Sequence, residues 1–572
     1  MSFKKSLLRY ARRPFDIFAL IPALLFSLFT VVGYAFQTSD SFSPLTHSAQ
    51  AIALSILTAC ALSVVAYFGL KILFSWLDKK LGTDTGEISF RAILKRRFFI
   101  YFLIIFVCWL PWILTNYPGT LRDDSIRQML QTYAIEPYSN GNPLLDTWIF
   151  GLFWQLGDLL GNRALGLYIY GFTQALCTAA SFSFMLCYLH KLRAPQAIIY
   201  LSVAALALIA LFPLAAMSMS KDSINGWLYV LFFVLFVEAC RSKGAIFKRK
   251  DFVCALIVVT ILVVATKKTM LYVVLLAFAA FFIFNKAFRK RSLALFVSTL
   301  FVSVLICDSL MPMAMHNSAK PKPATPPSAG TTFILIPLQQ TGRLLASGKE
   351  IPPEEYQALE RLIDCELTAH LYNPRRADEV VWATKEGTDN EDRAAYLGAW
   401  AKLGLQNPDT YTAALINQTY GWFCPFWKIE FGYNLTNDVF DEGHMQLWAQ
   451  YFPGGIQDAE KFLAPLQEQM QDRSPVRFGL ERWAQLQGKI PLLTSFGLWC
   501  TWILLVGLFY ALRKHNTQAL IAFVVPVAVV ASNLIGPMVL YWYAIPMFYA
   551  APLILCLGCL KTDSETNPGL RS

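Results

Sequence analysis

The sequence predicts an α-helical polytopic membrane protein with about 12 transmembrane helices and a mainly α-helical extracytoplasmic domain. Three observations carry that expectation. Only 15% of the 572 residues are charged, where roughly 25% is usual, while 56% are hydrophobic and the mean hydropathy is +0.45. Apolar runs of about 20 residues, the length a helix needs to cross a bilayer, recur along the chain. Basic residues gather in the short pieces between those runs. Disordered, collagen-like and ordinary soluble proteins are excluded by the same figures.

In order, the apolar runs fall at about 15–36, 51–76, 98–114, 163–189, 196–217, 225–240, 252–266, 270–285, 293–312, 491–512, 518–535 and 538–560. The first follows Lys4, Lys5, Arg9, Arg12 and Arg13 without a small-x-small cleavage site, so it reads as a retained anchor. With the N-terminus in the cytoplasm, 26 Lys and Arg lie in the inner loops and tails. Only Arg122, Arg127, Arg163, Lys221, Lys267 and Lys268 are left for the short outer ones. That bias predicts a multi-pass protein of the plasma membrane with both termini inside.

On this reading residues 1–312 form an N-terminal transmembrane module, 491–560 the C-terminal transmembrane helices and 561–572 a cytoplasmic tail. Two large segments face outward. Loop 115–162 contains a stretch, 148–160, that is apolar but too short to cross, and is expected as an amphipathic helix in the interface. Segment 313–490 opens with the Pro-rich linker AKPKPATPPSAG and continues with helix-like stretches at 353–370, 392–405 and 456–470. It is long enough to bury a core of its own. This segment carries 16 Lys and Arg against 22 Asp and Glu, so the net charge of +11 belongs to the membrane loops. No basic face is left to follow a phosphate backbone, which excludes nucleic acid as a partner.

Ten of the 12 cysteines lie in apolar runs, where a thiol is a small hydrophobe. Cys365 and Cys424 are the outward pair, and a disulfide between them is an open alternative. Cys556-x-x-Cys559 lacks His or acidic company, and His316, His370 and His444 show no ligand spacing.

Chemistry is expected where polar residues stand at the edge of the membrane. The densest cluster is NYPGTLRDDSIRQML, residues 116–130. Asp123 and Asp124 follow a Pro-Gly turn there and precede Ser125, Arg127 and Gln128. Adjacent carboxylates repel, so a raised pKa or a cationic partner is expected, with Arg122 and Arg127 nearest. The same pair reads equally well as acidic residues in the first turn of a helix. Lys221 in MSMSKDSING, and Lys267 with Lys268 in ATKKTM, lie in tight outer turns. Beside an acidic loop they suit an anion anchored in the membrane, such as a lipid-linked phosphate. Snorkelling at a helix end is the alternative for the lysines, and Asp222 can simply pair with Lys221.

The strings YPGTLRDDSIRQ, NGNPLLDTW, MSMSKDSI, IPLQQTGR and NPDTYTAALINQTYGWFCP, spread over about 98–430, resemble those of a family of bacterial polytopic membrane proteins held to be similar to the GT-C superfamily of integral-membrane glycosyltransferases. The resemblance implies a GT-C-like fold and a hexosyl- or pentosyltransferase in a bacterial plasma membrane. It implies a polyprenyl-phosphate-linked sugar as donor, a cell-envelope glycan or lipid as acceptor, and inversion at the anomeric carbon. Asp124 becomes the general base, with Asp123 as its helper or, together with Asp124, a ligand of Mg2+ or Mn2+. Fixed cations are an alternative source of the same neutralisation. Arg122, Lys221, Lys267, Lys268 and Arg127 become contacts of the donor phosphate, and Gln128, Asn142, Gln340 and Arg343 contacts of substrate. Asn142-Pro143 departs from the His-Pro of the family pattern. A domain-internal contact is the alternative for Gln339, Gln340 and Arg343. The aromatic run 420–434 reads as core, interfacial belt or a platform for sugar rings. Two other classes stay open. A transporter or flippase for lipid-linked oligosaccharide should show paired halves and interrupted helices, and a noncatalytic envelope-assembly protein should tolerate loss of the acidic pair.

Overall fold

A computed structural model describes residues 15–80, 89–121, 123–134, 142–286, 288–310, 334–385, 387–427, 464, 466 and 475–560. The first half of the chain comprises helices α1 (Ile17–Ser39), α2 (Ala49–Lys80), α3 (Phe90–Thr115), α4 (Asp123–Thr132), α5 (Leu144–Leu159), α6 (Arg163–Lys191), α7 (Gln196–Leu208) and α8 (Leu211–Met217). It continues with α9 (Lys221–Arg241), α10 (Lys250–Thr266), α11 (Met270–Phe284) and α12 (Arg289–Cys307). A helical domain follows as α13 (Leu335–Ala346), α14 (Pro353–Glu360), α15 (Cys365–Leu371), α16 (Asn390–Gln406) and α17 (Pro408–Thr419). The chain then returns through α18 (Pro475–Gly488), α19 (Gly497–Arg513), α20 (Thr517–Leu534) and α21 (Tyr541–Cys559). Two short strands, β1 (Thr120–Leu121) and β2 (Ser218–Met219), complete it.

Among the described residues eight helices are long and apolar enough to cross a membrane: α1, α2, α3, α6, α9, α12, α20 and α21. The chain is an α-helical membrane protein, and these eight correspond to eight of the twelve expected spans. Helices α10, with 17 residues, and α11, with 15, are apolar and at or below the short end of the length that crosses a bilayer. The run expected as one span at 196–217 is α7 and α8, bent by 57°. Pro213 explains the break, because it has no N–H for the Ile209 carbonyl and its ring crowds that oxygen. Gln487 of α18 repairs the freed backbone, accepting from Ala210 N at 2.8 Å and donating to the Leu208 carbonyl at 3.0 Å. Tyr541 adds a hydrogen bond to the Leu211 carbonyl at 3.1 Å.

Helices α9 and α21 are the most enclosed, with 83% and 89% of their apolar windows buried, whereas α2 buries 6% and packs chiefly on α1. Arg513 reaches Asp16 and Asp78, each at 2.8 Å, so the start of α1 and the ends of α2 and α19 share one face. The first residues of α6 and α9 lie on the opposite face, together with the helical domain. Which face meets the cytoplasm rests on the charge count alone.

The stretch expected at 148–160 is α5, starting four residues earlier. Its seat on α6 needs two glycines, since a Cβ at Gly166 would collide with the Phe153 carbonyl and would lie 2.9 Å from Gly157 Cα. In the helical domain the expected 353–370 divides into α14 and α15, 392–405 is α16, and 456–470 lies outside the described residues except at 464 and 466. Leu338, Leu344, Leu359, Ile363, Tyr396 and Leu403 form its core. Asp40, closing α1 in a left-handed conformation, ties the domain to the bundle. Its carbonyl accepts from Arg343 and from Asn417, both at 2.8 Å, and its carboxylate pairs with Arg375 at 3.2 Å. Cys365 and Cys424 are both free thiols in different cores, so they form no disulfide.

Gly166→Ala tests the α5 seat. An added methyl in a site this tight costs about 1–3 kcal/mol, so the melting temperature in detergent is expected to drop. An unchanged melt would refute the close packing.

Candidate functional site

Loop 115–162 and the turn before α9 are far apart in sequence, yet a two-residue parallel ladder joins them. Thr120 pairs with Ser218 and Leu121 with Met219. Just beyond it the Ser125 hydroxyl donates to the Met219 carbonyl. Because α4 begins soon after β1 and α9 soon after β2, the ladder sets the two helix starts side by side. Lys221 Nζ then lies 2.7 Å from Asp124 Oδ2 and 2.8 Å from Asn142 Oδ1, and Asn142 Nδ2 is 3.5 Å from Asp124 Oδ1.

The physical need is plain. An ammonium at the first residue of a helix faces the positive end of the helix dipole, and at a membrane edge it must be compensated. Asp124 compensates Lys221. Buried Asp222 meanwhile takes Lys267 Nζ at 2.6 Å, tying α9 to the end of α10, and Lys267 stands 5.5 Å from the Tyr543 ring of α21. The simple Lys221–Asp222 pairing is thus replaced by a crossed arrangement in which each lysine binds the aspartate of another element. Asn142 bridges the pair, because one amide accepts from the ammonium and donates toward the carboxylate. Asp124 keeps 54% of its side chain exposed, so the pair is open to a ligand.

The other expected residues fall as follows. Arg122 lies outside the described residues, and Asp123 opens α4 with its side chain outside them. Arg127 is half-buried on α4, and Lys268 is exposed in the α10–α11 turn. Gln128 is buried and donates to Thr147 Oγ1 at 2.9 Å, joining α4 to α5. Gln339 donates to the Asn373 carbonyl at 2.6 Å. Gln340 bridges the Tyr411 carbonyl and Trp400 Nε1. Arg343 binds Tyr372 and Asp40. Gln339 and Gln340 thus make contacts inside the helical domain, while Arg343 also reaches the end of α1. Trp422 of the aromatic run is likewise buried in the core. Among the described residues no group of three or more His, Cys, Asp or Glu converges as a metal-ligand set.

Sequence reasoning passed over two acids. Asp146, on α5, is fully buried, and neither carboxyl oxygen has a hydrogen-bond partner among the described residues. Burial raises it well above the ordinary carboxylate range, Lys221 opposing and Asp222 adding to the rise. The signal was an acid inside the apolar string NPLLDTW. Asp378 follows Arg376 in the helical domain, 3.5 Å from its Nε. Surrounding protein raises its pKa, Arg376 opposing and Asp124 adding. No sequence signal marks it, since Arg376 is a local partner and Asp124 comes from a distant part of the chain.

Asp146 gives a signed pH prediction. The folded state holds this proton more tightly than the unfolded chain, so its effect is to lower stability as pH rises above about 4. Asp146→Asn, which imitates the protonated acid, is expected to flatten that decline in a melt series from about pH 5 to 8. A variant that tracks wild type at every pH would show the acid to be ionised already.

Residues 137–567 match a family model described as a family of unknown function (DUF6020). No curated protein and no solved structure matches the chain. The matched region takes in Asn142, Asp146, Lys221, Lys267, Asp378 and Tyr543, while Asp124 precedes it. By that match the chain belongs to the DUF6020 family.

Proposed function

We propose that this chain is a GT-C-type glycosyltransferase, which moves a sugar from a polyprenyl-phosphate donor to a cell-envelope glycan or lipid on the outer face of the membrane. The observation that supports it best is the exposed Asp124 carboxylate held at 2.7 Å by an ammonium at the head of an enclosed helix.

The chemistry follows from that pair. Asp124, held at Oδ2 by Lys221 and approached at Oδ1 by Asn142, keeps 54% of its side chain exposed toward an incoming acceptor. It takes the proton of an acceptor hydroxyl as the oxygen bonds to the anomeric carbon. The bond from that carbon to the phosphate oxygen breaks on the opposite face, and its electron pair leaves with the phosphate. Asp124 becomes neutral in the same step, which frees the ammonium's charge for the departing phosphate. Two of the three Lys221 N–H donors serve Asp124 and Asn142, leaving one direction for a phosphate oxygen. A positioned base is worth about 10²–10⁴-fold, and electrostatic stabilisation of the leaving group as much or more. Leu152 and Leu159, exposed on α5, offer an apolar wall to the polyprenyl tail. The described residues present a divalent ion with Asp124 alone at this point, so no step is assigned to Mg2+ or Mn2+; Asp123 would be the second ligand.

One observation favours a second reading. The break between α7 and α8 is the kind of interruption found in lipid and solute carriers, so a flippase for lipid-linked oligosaccharide is the alternative.

Asp124→Asn is expected to lower sugar transfer at least about 100-fold while the protein inserts and melts as wild type. Mass spectrometry of envelope glycans from cells lacking the protein, complemented by either form, measures it. Normal product from the variant would remove the enzyme and leave the carrier.

A further inference from the structure

A strap of the helical domain, residues 373–379, reaches the membrane module at residues 537–538. Two backbone contacts hold it there. Ala377 N donates to the Pro537 carbonyl at 2.8 Å, and Arg376 pairs with Met538 in an isolated antiparallel bridge. Gln339 fastens its start through the Asn373 carbonyl. Residues 537 and 538 lead directly into α21, where Tyr543 lies against Lys267, and Lys267 binds the aspartate next to Lys221. The strap is therefore built onto the end of α21 that carries Tyr543 beside Lys267.

Of the charges on the strap, Arg375 is used in holding it, through Asp40, while the docking to 537–538 is made by backbone groups. Arg376 and Asp378 stay 39% and 42% exposed, separated by 3.5 Å, and Glu379 lies 3.9 Å from the same guanidinium. A guanidinium flanked by carboxylates presents donors and acceptors in one small area, which matches adjacent hydroxyls of a sugar ring. Two carboxylates against one guanidinium repel a phosphate-rich polymer.

We infer that Arg376 and Asp378 bind the acceptor, and that this acceptor is an uncharged polyhydroxylated glycan. The inference rests on the glycosyltransferase reading and deepens it. The membrane module supplies the lysines and the base, the helical domain supplies the acceptor wall, and the acceptor hydroxyl enters between Asp378 and Asp124.

The experiment uses the full-length protein in cells deleted for it. Envelope glycans and the lipid-linked donor pool are quantified by mass spectrometry for wild type, Asp124→Asn, Arg376→Ala, Asp378→Ala, Asp378→Glu and Arg375→Ala. The expected result is at least a tenfold loss of sugar on a neutral glycan for Arg376→Ala and Asp378→Ala. Donor should accumulate, and melting temperatures in detergent should stay within those of wild type. Asp378→Glu should restore most of the product, which a merely structural pair would not require. Arg375→Ala should weaken the melt and spare the transfer per folded molecule. Product within twofold of wild type for Asp378→Ala, while Asp124→Asn abolishes it, overturns the strap assignment and leaves the transferase. Transfer onto a phosphate-bearing polymer overturns the acceptor class. Normal glycans with Asp124→Asn overturn the transferase reading, and this inference with it.

Discussion

A lysine at the first residue of an enclosed membrane helix is the constraint from which the rest of this site follows. Its charge opposes the helix dipole and stands where water is scarce, so a carboxylate must be brought to it. Asp222, the next residue, is the obvious donor of that charge, yet it is taken by Lys267. Lys221 therefore depends on Asp124, 97 residues earlier in the chain. The β1–β2 ladder and the Ser125 hydroxyl give that distant carboxylate its position. The two pairs are coupled, because Lys221 and Asp222 are neighbouring residues of α9.

The same economy of polar groups governs the broken span. Pro213 opens the backbone between α7 and α8, and a single side chain, Gln487, answers both an N–H and a carbonyl. Irregular backbone at this depth is tolerated where protein rather than lipid satisfies it. Asp146 is the exception, a buried acid with no partner among the described residues. Burial pushes its pKa well above the ordinary carboxylate range, and Lys221, shared between Asp124 and Asn142, only partly opposes that rise.

Among the described residues, two of the attachments of the helical domain to the bundle stand out. One is the Asp40 cap of α1, which gathers Arg343, Arg375 and Asn417. The other is the backbone pairing of the strap with 537–538 at the head of α21. Both anchor points are ends of membrane helices, so a shift of the domain would be felt at the charged pairs, and a ligand bound between them would hold the two parts together.

Much of this was open to a reader of the sequence. Apolar runs of bilayer length and a paucity of charge determined an α-helical membrane protein, because these depend on composition over about 20 neighbouring residues. The clusters around Asp124, Lys221 and Lys267 stood out for the same reason, as polar residues at the edges of such runs. What pairs with what was decided only in three dimensions. The crossed ion pairs, the bridging role of Asn142, the solitary Asp146 and the arrival of Asp378 join segments that are tens to hundreds of residues apart, and their energies depend on distance and burial. A local pattern can announce that a charge needs a partner; only the packing of helices chooses which one it meets.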